Sequence, residues 1–152
     1  MKEIALYTLD IAQNSITAQA KRLDITLTEE GETITLSIRD DGTGMAPELL
    51  ARVSDPFTTT RTTRAMGLGL PLLRLAAEQT GGSFSIESEP GKGTTVTAVF
   101  KPSHIDMTPL GDINSTVGLL IYSNPDRDFI FRRERDGRSF ALDTRELREI
   151  LG

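Results

Sequence analysis

Apolar residues recur with two different spacings between the N-terminus and Phe100. Residues 2–20 space them near the helical period and contain neither Pro nor Gly, which predicts a first helix. The segments LDITLT and TITLSI alternate apolar and polar residues around the acidic turn EEGE. The segments SFSIES and TTVTAVF do the same around the turn EPGKG. Each pair therefore predicts an antiparallel hairpin with one buried face.

Glycine and proline punctuate the segment between the two predicted hairpins. RDDGTGM predicts a loop, and APELLARV predicts a short helix. A polar Thr/Arg segment, residues 58–64, precedes GLGLPLLRLAAEQTGG, which predicts a helix with Pro71 in its first turn and a glycine pair at its end. The order helix, hairpin, loop, helix, hairpin predicts an α+β fold. We expect a two-layer α/β sandwich with helices on one face of a mainly antiparallel mixed sheet.

A C-terminal extension, residues 102–152, follows this predicted domain of residues 1–101. Being short for a separate domain, the extension is expected to pack on the first domain. Its pattern predicts, in order, a helix near residues 110–121, strands near 128–133 and 138–142, and a terminal helix that begins at Asp143 or Thr144.

Composition narrows the classes of function. The chain has no cysteine and a single histidine, which excludes a disulfide framework, a thiolate metal site and a multi-histidine metal site. Its net charge of −5 argues against nonspecific binding to nucleic acid. No apolar run is long enough to span a membrane and no signal peptide precedes the first helix, so we expect a cytoplasmic protein that does not contact a membrane.

Asp10, Asn14 and Thr17 are spaced so that one face of the first helix carries all of them. The amide oxygen of Asn14 is a suitable ligand for a Mg²⁺ ion that also binds substrate phosphates. The carboxylate of Asp10, one turn away, could orient or deprotonate an attacking water. A solvated polar helix face would give the same pattern, so the residues alone leave both interpretations open.

Asp40, Gly42 and Gly44 form a D-x-G-x-G motif directly after a predicted strand. A carboxylate can accept a hydrogen bond from an exocyclic amine such as that of adenine. Glycines permit positive φ and a close approach of backbone to a ligand. An ordinary turn remains the alternative.

Gly67, Leu68 and Gly69 precede a predicted helix, whose free N–H groups and dipole favour an anion. The hydroxyl and guanidinium groups of residues 58–64 suit phosphate oxygens. This is not a Walker loop, because no G-K-[ST] follows the glycines. The lack of apolar anchors in this segment predicts a lid that orders on nucleotide, and a plain surface loop is the alternative.

Taken in order, LDIAQNS, IRDDGTGM, DPFTTTR, GLGLPLL and ESEPGKGTT resemble the N, G1, F, G2 and G3 boxes of the gyrase, heat-shock chaperone, histidine kinase and MutL superfamily. The resemblance implies a Bergerat-type ATP-binding fold with ATP and Mg²⁺ as cofactors. It implies that Asn14 coordinates Mg²⁺, that Asp40 binds the N6 amine of adenine, and that Thr94 supports the base through water. The remaining ATP-binding residues that it implies are Gly42, Gly44, Met45, Thr59, Thr60, Arg61, Gly67, Leu68 and Gly69.

Two departures from the family pattern bear on chemistry. Asp10 stands where many relatives carry a catalytic glutamate, and its shorter side chain predicts inefficient activation of water. Ala65 stands where a further glycine usually opens the G2 box, so nucleotide is expected to exchange readily. The segment HIDMTPL, residues 104–110, superficially matches the acceptor box of histidine kinases, but its position after the ATP-binding boxes predicts a loop that leads into a helix.

These observations favour a stand-alone ATP-binding regulatory protein, which we expect to act as a kinase on a separate protein with histidine or serine as the acceptor. The first alternative is a MutL-like switch with slow ATPase activity that dimerises with nucleotide. The second is a module that senses ATP without catalysis. In each case residues 102–152 are expected to determine which protein is the partner.

Overall fold

The computed structural model describes residues 3–53 and 69–151 of the chain. Within these ranges no helix combines the length and the apolar character that crossing a membrane requires. The elements, in chain order, are α1 (Ile4–Thr17), β1 (Arg22–Glu30), β2 (Thr33–Asp40), α2 (Pro47–Val53), α3 (Gly69–Gln79), β3 (Ser83–Glu89), β4 (Gly93–Phe100), α4 (Ile113–Ser123), β5 (Asp128–Arg135), β6 (Arg138–Asp143) and α5 (Thr144–Leu151).

The strands form one six-stranded sheet in the order β3-β4-β2-β1-β5-β6. The predicted hairpins β1–β2 and β3–β4 are both present and antiparallel. β2 and β4 pair antiparallel and join the two hairpins, whereas β5 pairs with β1 in parallel. The mixed, mainly antiparallel α+β architecture predicted from the pattern is therefore confirmed.

The core lies between the sheet and the helices α1, α3 and α4. α1 contacts both other helices, and α3 contacts β3 and β4. Alternate residues of β1, Leu23, Ile25 and Leu27, are buried against this layer. Full burial of a Leu or Ile side chain stabilises the fold by about 1.5–3 kcal/mol, which explains why the alternating pattern fixes the inward face of each strand.

α1 buries a continuous stripe of side chains at helical spacing: Ile4, Tyr7, Ile11, Ala12 and Ser15. The predicted helix ran to residue 20, but the structure ends it at Thr17. The reason is local, because the next residues form a Schellman-type turn with Gln19 at a φ of 64°. In this turn the N–H of Ala20 donates to the carbonyl of Ser15 at 3.0 Å.

The C-terminal extension continues the same sheet through β5 and β6, close to where strands were predicted. α4 begins at Ile113, later than the predicted start near residue 110. Asp112 sets this start, since its side chain accepts the N–H of Ser115 at 3.0 Å as an N-cap. The terminal helix α5 begins at Thr144, as predicted.

Candidate functional site

A cavity of about 220 Å³ opens between α1, the ends of β2 and β4, and the loop that follows β2. Its apolar lining is Ile11, Ala18, Ile38, Met45, Leu70 and Val96. Its polar lining is Asn14, Ser15, Thr17, Asp40, Thr43 and Thr94, and Gly44 completes it. An apolar cavity with a few convergent polar groups is the usual form of a small-molecule site.

Asp40 lies at the end of β2 with both carboxylate oxygens held by protein donors. The hydroxyl of Ser15 donates to Oδ2 at 2.6 Å, and the backbone N–H of Gly42 donates to Oδ1 at 2.9 Å. Each oxygen can accept a second hydrogen bond, so the oriented carboxylate still offers acceptor capacity to the cavity. The arrangement suits a ligand with a polar N–H group.

Ser15 is a site residue that the sequence pattern did not single out. It continues the buried stripe of α1 four residues after Ile11 and is only 3% exposed. The sequence does contain one signal for Ser15, a hydroxyl at a core-facing position of the helix. A buried hydroxyl needs a hydrogen-bond partner, so such a residue is expected to contact another polar group. That partner, Asp40, is distant in the sequence and becomes adjacent only in the fold.

The glycines of the D-x-G-x-G motif allow the loop to approach the chain's own backbone. A Cβ on Gly42 would lie 2.8 Å from the carbonyl oxygen of Ala18. Gly44 has a φ of 72°, and a Cβ there would overlap the carbonyl of Glu89 in the β3–β4 turn. Between them, the N–H of Thr43 donates to the carbonyl of Ala18 at 2.9 Å. The motif therefore packs against both the C-terminal turn of α1 and the β3–β4 turn.

A hydroxyl pair supports the cavity from β3 and β4. Thr94 is the direct cross-strand partner of Asp40, so both side chains project from the same face of the sheet. The hydroxyl of Thr94 lies 2.8 Å from that of Ser88, which also accepts the N–H of Met45 at 2.8 Å. Met45 is 5% exposed. These contacts bring Met45 and Thr94, both predicted site residues, into one wall.

Asn14 lies on the cavity wall with its side-chain Nδ2 buried and without a hydrogen-bond partner in the described part of the chain. A buried N–H donor without a partner is costly, and a hydrogen-bond acceptor in the cavity would satisfy it. Asp10 lies one turn nearer the N-terminus of α1. It is not among the described residues that line the cavity.

The predicted phosphate-binding residues are only partly described. Thr59, Thr60, Arg61, Gly67 and Leu68 lie outside the described residues. Gly69 is the first residue of α3. Leu70, which follows it and was not predicted, lines the cavity and is 4% exposed. The N-terminus of α3 thus lies at the cavity.

The structure is thus an α+β domain with a largely apolar cavity at the ends of β2 and β4. Residues 3–104 match the family described as histidine kinase-, DNA gyrase B-, and HSP90-like ATPase. The chain belongs to this family, and it is an ATP-binding domain of the histidine kinase-like type.

Two sensor proteins match part of this domain. The Heme sensor protein HssS of Staphylococcus saprophyticus is 39% identical over 80 residues, which cover 52% of this chain and 17% of the relative. The Sensor protein SrrB of Staphylococcus aureus is 40% identical over 84 residues, covering 52% of this chain and 14% of the relative. The chain therefore spans less than a fifth of the length of these sensor proteins.

Solved structures share the fold at low sequence identity. The N-terminal domain of a DNA repair protein superposes with a TM-score of 0.62 and 13% identity, covering 92% of this chain and 52% of that chain. The MutL ATPase domain of Aquifex aeolicus complexed with ADP superposes with a TM-score of 0.55 and 16% identity, covering 94% and 63%. At these identities the likeness concerns the fold alone.

Proposed function

We propose that the cavity binds Mg-ATP, with the carboxylate of Asp40 accepting the exocyclic amine of adenine. The observation that carries this proposal is the orientation of Asp40 by Ser15 and Gly42, at 2.6 and 2.9 Å, on the wall of an apolar cavity. Ile38 and Val96, on the same walls, offer the flat apolar contact that a purine requires. Thr94, beside Asp40, would support the base through water.

Asn14 is the residue that would hold Mg²⁺. Its place on the cavity wall fits this role, because Mg²⁺ is commonly held by one or two protein oxygens together with substrate phosphates and water, and the Asn14 amide oxygen is such a ligand. The buried Nδ2, a donor without a partner among the described residues, would suit a phosphate oxygen instead. No three His, Cys, Asp or Glu side chains of the described residues cluster as a metal site. Asn14 would therefore contribute one amide ligand from α1. The ion would neutralise charge on the phosphates.

The phosphates would extend toward the N-terminus of α3. Leu70 in the first turn of this helix lines the cavity, and the free N–H groups of a helix N-terminus favour anions. Gly67 and Gly69 would meet the phosphates there. Thr59, Thr60 and Arg61 would contact the terminal phosphate from the preceding segment, with the Arg61 guanidinium as its cationic partner.

We further propose that the terminal phosphoryl group is transferred to a side chain of a separate protein, leaving ADP. The relatives at 39% and 40% identity are sensor proteins, which supports a signalling role. Efficient hydrolysis would require a well-placed base, and the shorter side chain of Asp10, where many relatives carry glutamate, predicts inefficient activation of water.

His104 of the same chain is poorly placed as the acceptor. Asp40 and Thr94 pair at one end of the sheet, and Phe100 pairs with Ile34 at the other. At about 3.3 Å per residue, Phe100 lies about 20 Å along β4 from Thr94. His104 follows Phe100 in a turn that leads away toward α4, as the sequence predicted. A separate acceptor is therefore favoured.

The test uses γ-labelled ATP and two variants of α1. Wild type incubated with protein from its source is expected to label a partner protein, and Asn14→Ala is expected to abolish the label. Gln13→Ala is the matched control, because Gln13 is an exposed neighbour on the same helix outside the cavity lining. Labelling that survives in Asn14→Ala, or that never occurs with wild type, would reject the kinase proposal.

A second candidate, ATP sensing without catalysis, is favoured by the same Asp10, which stands where many relatives carry a catalytic glutamate. It predicts nucleotide affinity without phosphate release or transfer. Measuring phosphate release and label transfer in parallel with calorimetric ATP binding separates the two candidates. Binding with neither reaction would leave sensing as the function.

A further inference from the structure

The N-terminal end of α1 is capped by the C-terminal extension. Glu3, its N-cap residue, makes no side-chain cap bond, and the first turn contains no acidic residue. Instead, the N–H of Ile4 donates to the carbonyl of Pro109 at 2.8 Å, and that of Ala5 donates to Leu110 at 3.0 Å. The extension therefore satisfies N–H groups that a helix leaves free at its start.

The C-terminal end of α1 is also held by the extension. α1 has no basic residue in its last turn. Arg127, between α4 and β5, donates from Nε to the carbonyl of Ala20 at 2.9 Å and from Nη2 to that of Ile16 at 3.4 Å. Its side chain is 21% exposed. A guanidinium among these carbonyls complements the negative end of the helix dipole.

The turn that Arg127 holds is in contact with the cavity. Thr17 and Ala18, between the two carbonyls that Arg127 binds, line the cavity. The carbonyl of Ala18 accepts the N–H of Thr43, which is itself a lining residue. The turn that Arg127 binds is therefore hydrogen-bonded directly to the loop that follows Asp40.

We propose that Arg127 is a positioning residue for the nucleotide site and that it acts through the Ala18 turn. This inference rests on the proposed binding of ATP. By fixing the carbonyls of Ile16 and Ala20, Arg127 holds the end of α1 at the distance that lets Ser15 and Thr43 make their contacts. Residues outside the family match thereby contribute to nucleotide affinity, since the match ends at residue 104.

The test compares three variants in calorimetric titrations with ATP. Arg127→Met keeps much of the side chain's apolar length but removes the donors, and Arg127→Lys returns one cationic donor. Arg132→Met is the matched control, because Arg132 is an exposed arginine of the same extension, on β5. The titrations are made at a temperature at which circular dichroism shows every variant to be folded. A loss of stability alone then leaves the measured affinity unchanged.

Arg127→Met is expected to bind ATP about tenfold more weakly, a change equivalent to about 1.4 kcal/mol and of the size typical of coupling between two sites. Arg127→Lys is expected to recover part of this loss, and Arg132→Met is expected to bind as wild type does. Wild-type affinity in Arg127→Met would overturn the inference while leaving ATP binding intact. Absence of binding by wild type would instead overturn the proposed function.

Hydrogen exchange on the wild-type protein tests the same inference without any variant. The N–H of Asp128 donates to the carbonyl of Lys21 at 2.8 Å, directly beyond the turn that Arg127 holds. ATP is expected to slow exchange at both Thr43 and Asp128. Slower exchange at Thr43 with unchanged exchange at Asp128 would show that the extension is not coupled to the site, and the inference would be wrong.

Discussion

Replacing Asp40 by asparagine tests the adenine assignment most directly. Both oxygens of the carboxylate accept protein donors, from Ser15 at 2.6 Å and from Gly42 at 2.9 Å. Asparagine has one oxygen and one NH₂ group in their place. The hydroxyl of Ser15 can rotate to accept from this NH₂, but the backbone N–H of Gly42 can only donate. The amide oxygen is therefore expected to face Gly42, and the NH₂ group to face Ser15.

The expected loss of ATP affinity in Asp40→Asn follows from this geometry. In the variant the NH₂ group replaces an acceptor, so the adenine amine would meet a donor or compete with Gly42 for one oxygen. A buried polar group left without its partner costs about 1–3 kcal/mol. Since about 1.4 kcal/mol is a factor of ten, Asp40→Asn is expected to weaken ATP binding by about 5- to 150-fold.

Isothermal titration calorimetry with ATP and ADP measures this change. Asp41→Asn is the matched control, because Asp41 is exposed and does not line the cavity. Its Oδ1 accepts the N–H groups of Lys21 and Arg22, which an asparagine oxygen can also accept. The control is expected to bind as wild type does. Wild-type affinity in a folded Asp40→Asn protein would refute the adenine assignment.

Three further predictions concern the site and the fold. Ser15→Ala removes one donor to the carboxylate and is expected to weaken ATP binding by about 0.5–1.5 kcal/mol, measured by the same titration; unchanged affinity would show that the carboxylate is oriented without it. Gly44→Ala, at a φ of 72° and against the β3–β4 turn, is expected to lower the free energy of unfolding in urea by at least about 2 kcal/mol. Gly118→Ala, a control in α4 where an added Cβ meets nothing within 4 Å, is expected to raise it by about 0.5–1 kcal/mol, and equal effects would contradict the packing argument. Hydrogen bonding by Arg145 lowers the pKa of Asp143 to about 2, so its contribution to stability is present above the unfolded pKa of about 3.9 and is lost as pH falls through 2. The difference between wild type and Asp143→Asn in urea unfolding should therefore be largest at pH 7 and shrink as pH falls toward 2, and a difference as large at pH 2 as at pH 7 would contradict this assignment.

Much of the candidate site was predictable because its residues carry chemistry in short motifs. Asp40 and the glycines after it were identified from one loop, and Asn14 from one helix face. The structure adds what the motifs do not contain. Ser15 orients Asp40 across the fold, and Ser88 links Met45 to Thr94. Serines are common at ordinary surface positions, so only their burial beside these partners distinguishes them.

The sequence by itself determined the helices and strands, because periodicity is a local property. Alternation in β1 and β2 and the turn EEGE between them were sufficient to predict their hairpin. Even here one end was misjudged, since the left-handed Gln19 that stops α1 is not a glycine and gives no signal in the pattern.

Only the tertiary structure decided how the elements combine. No local pattern specifies that β5 pairs in parallel with β1, that Pro109 and Leu110 cap α1, or that Arg127 holds its other end. These contacts join segments far apart in the chain. They form because the fold must bury the apolar faces of its helices and strands while every buried backbone N–H and C=O group finds a hydrogen-bond partner. The motifs predict where a nucleotide would bind, whereas the first helix of this proposed site makes contacts with a segment beyond the family match, which no motif announces.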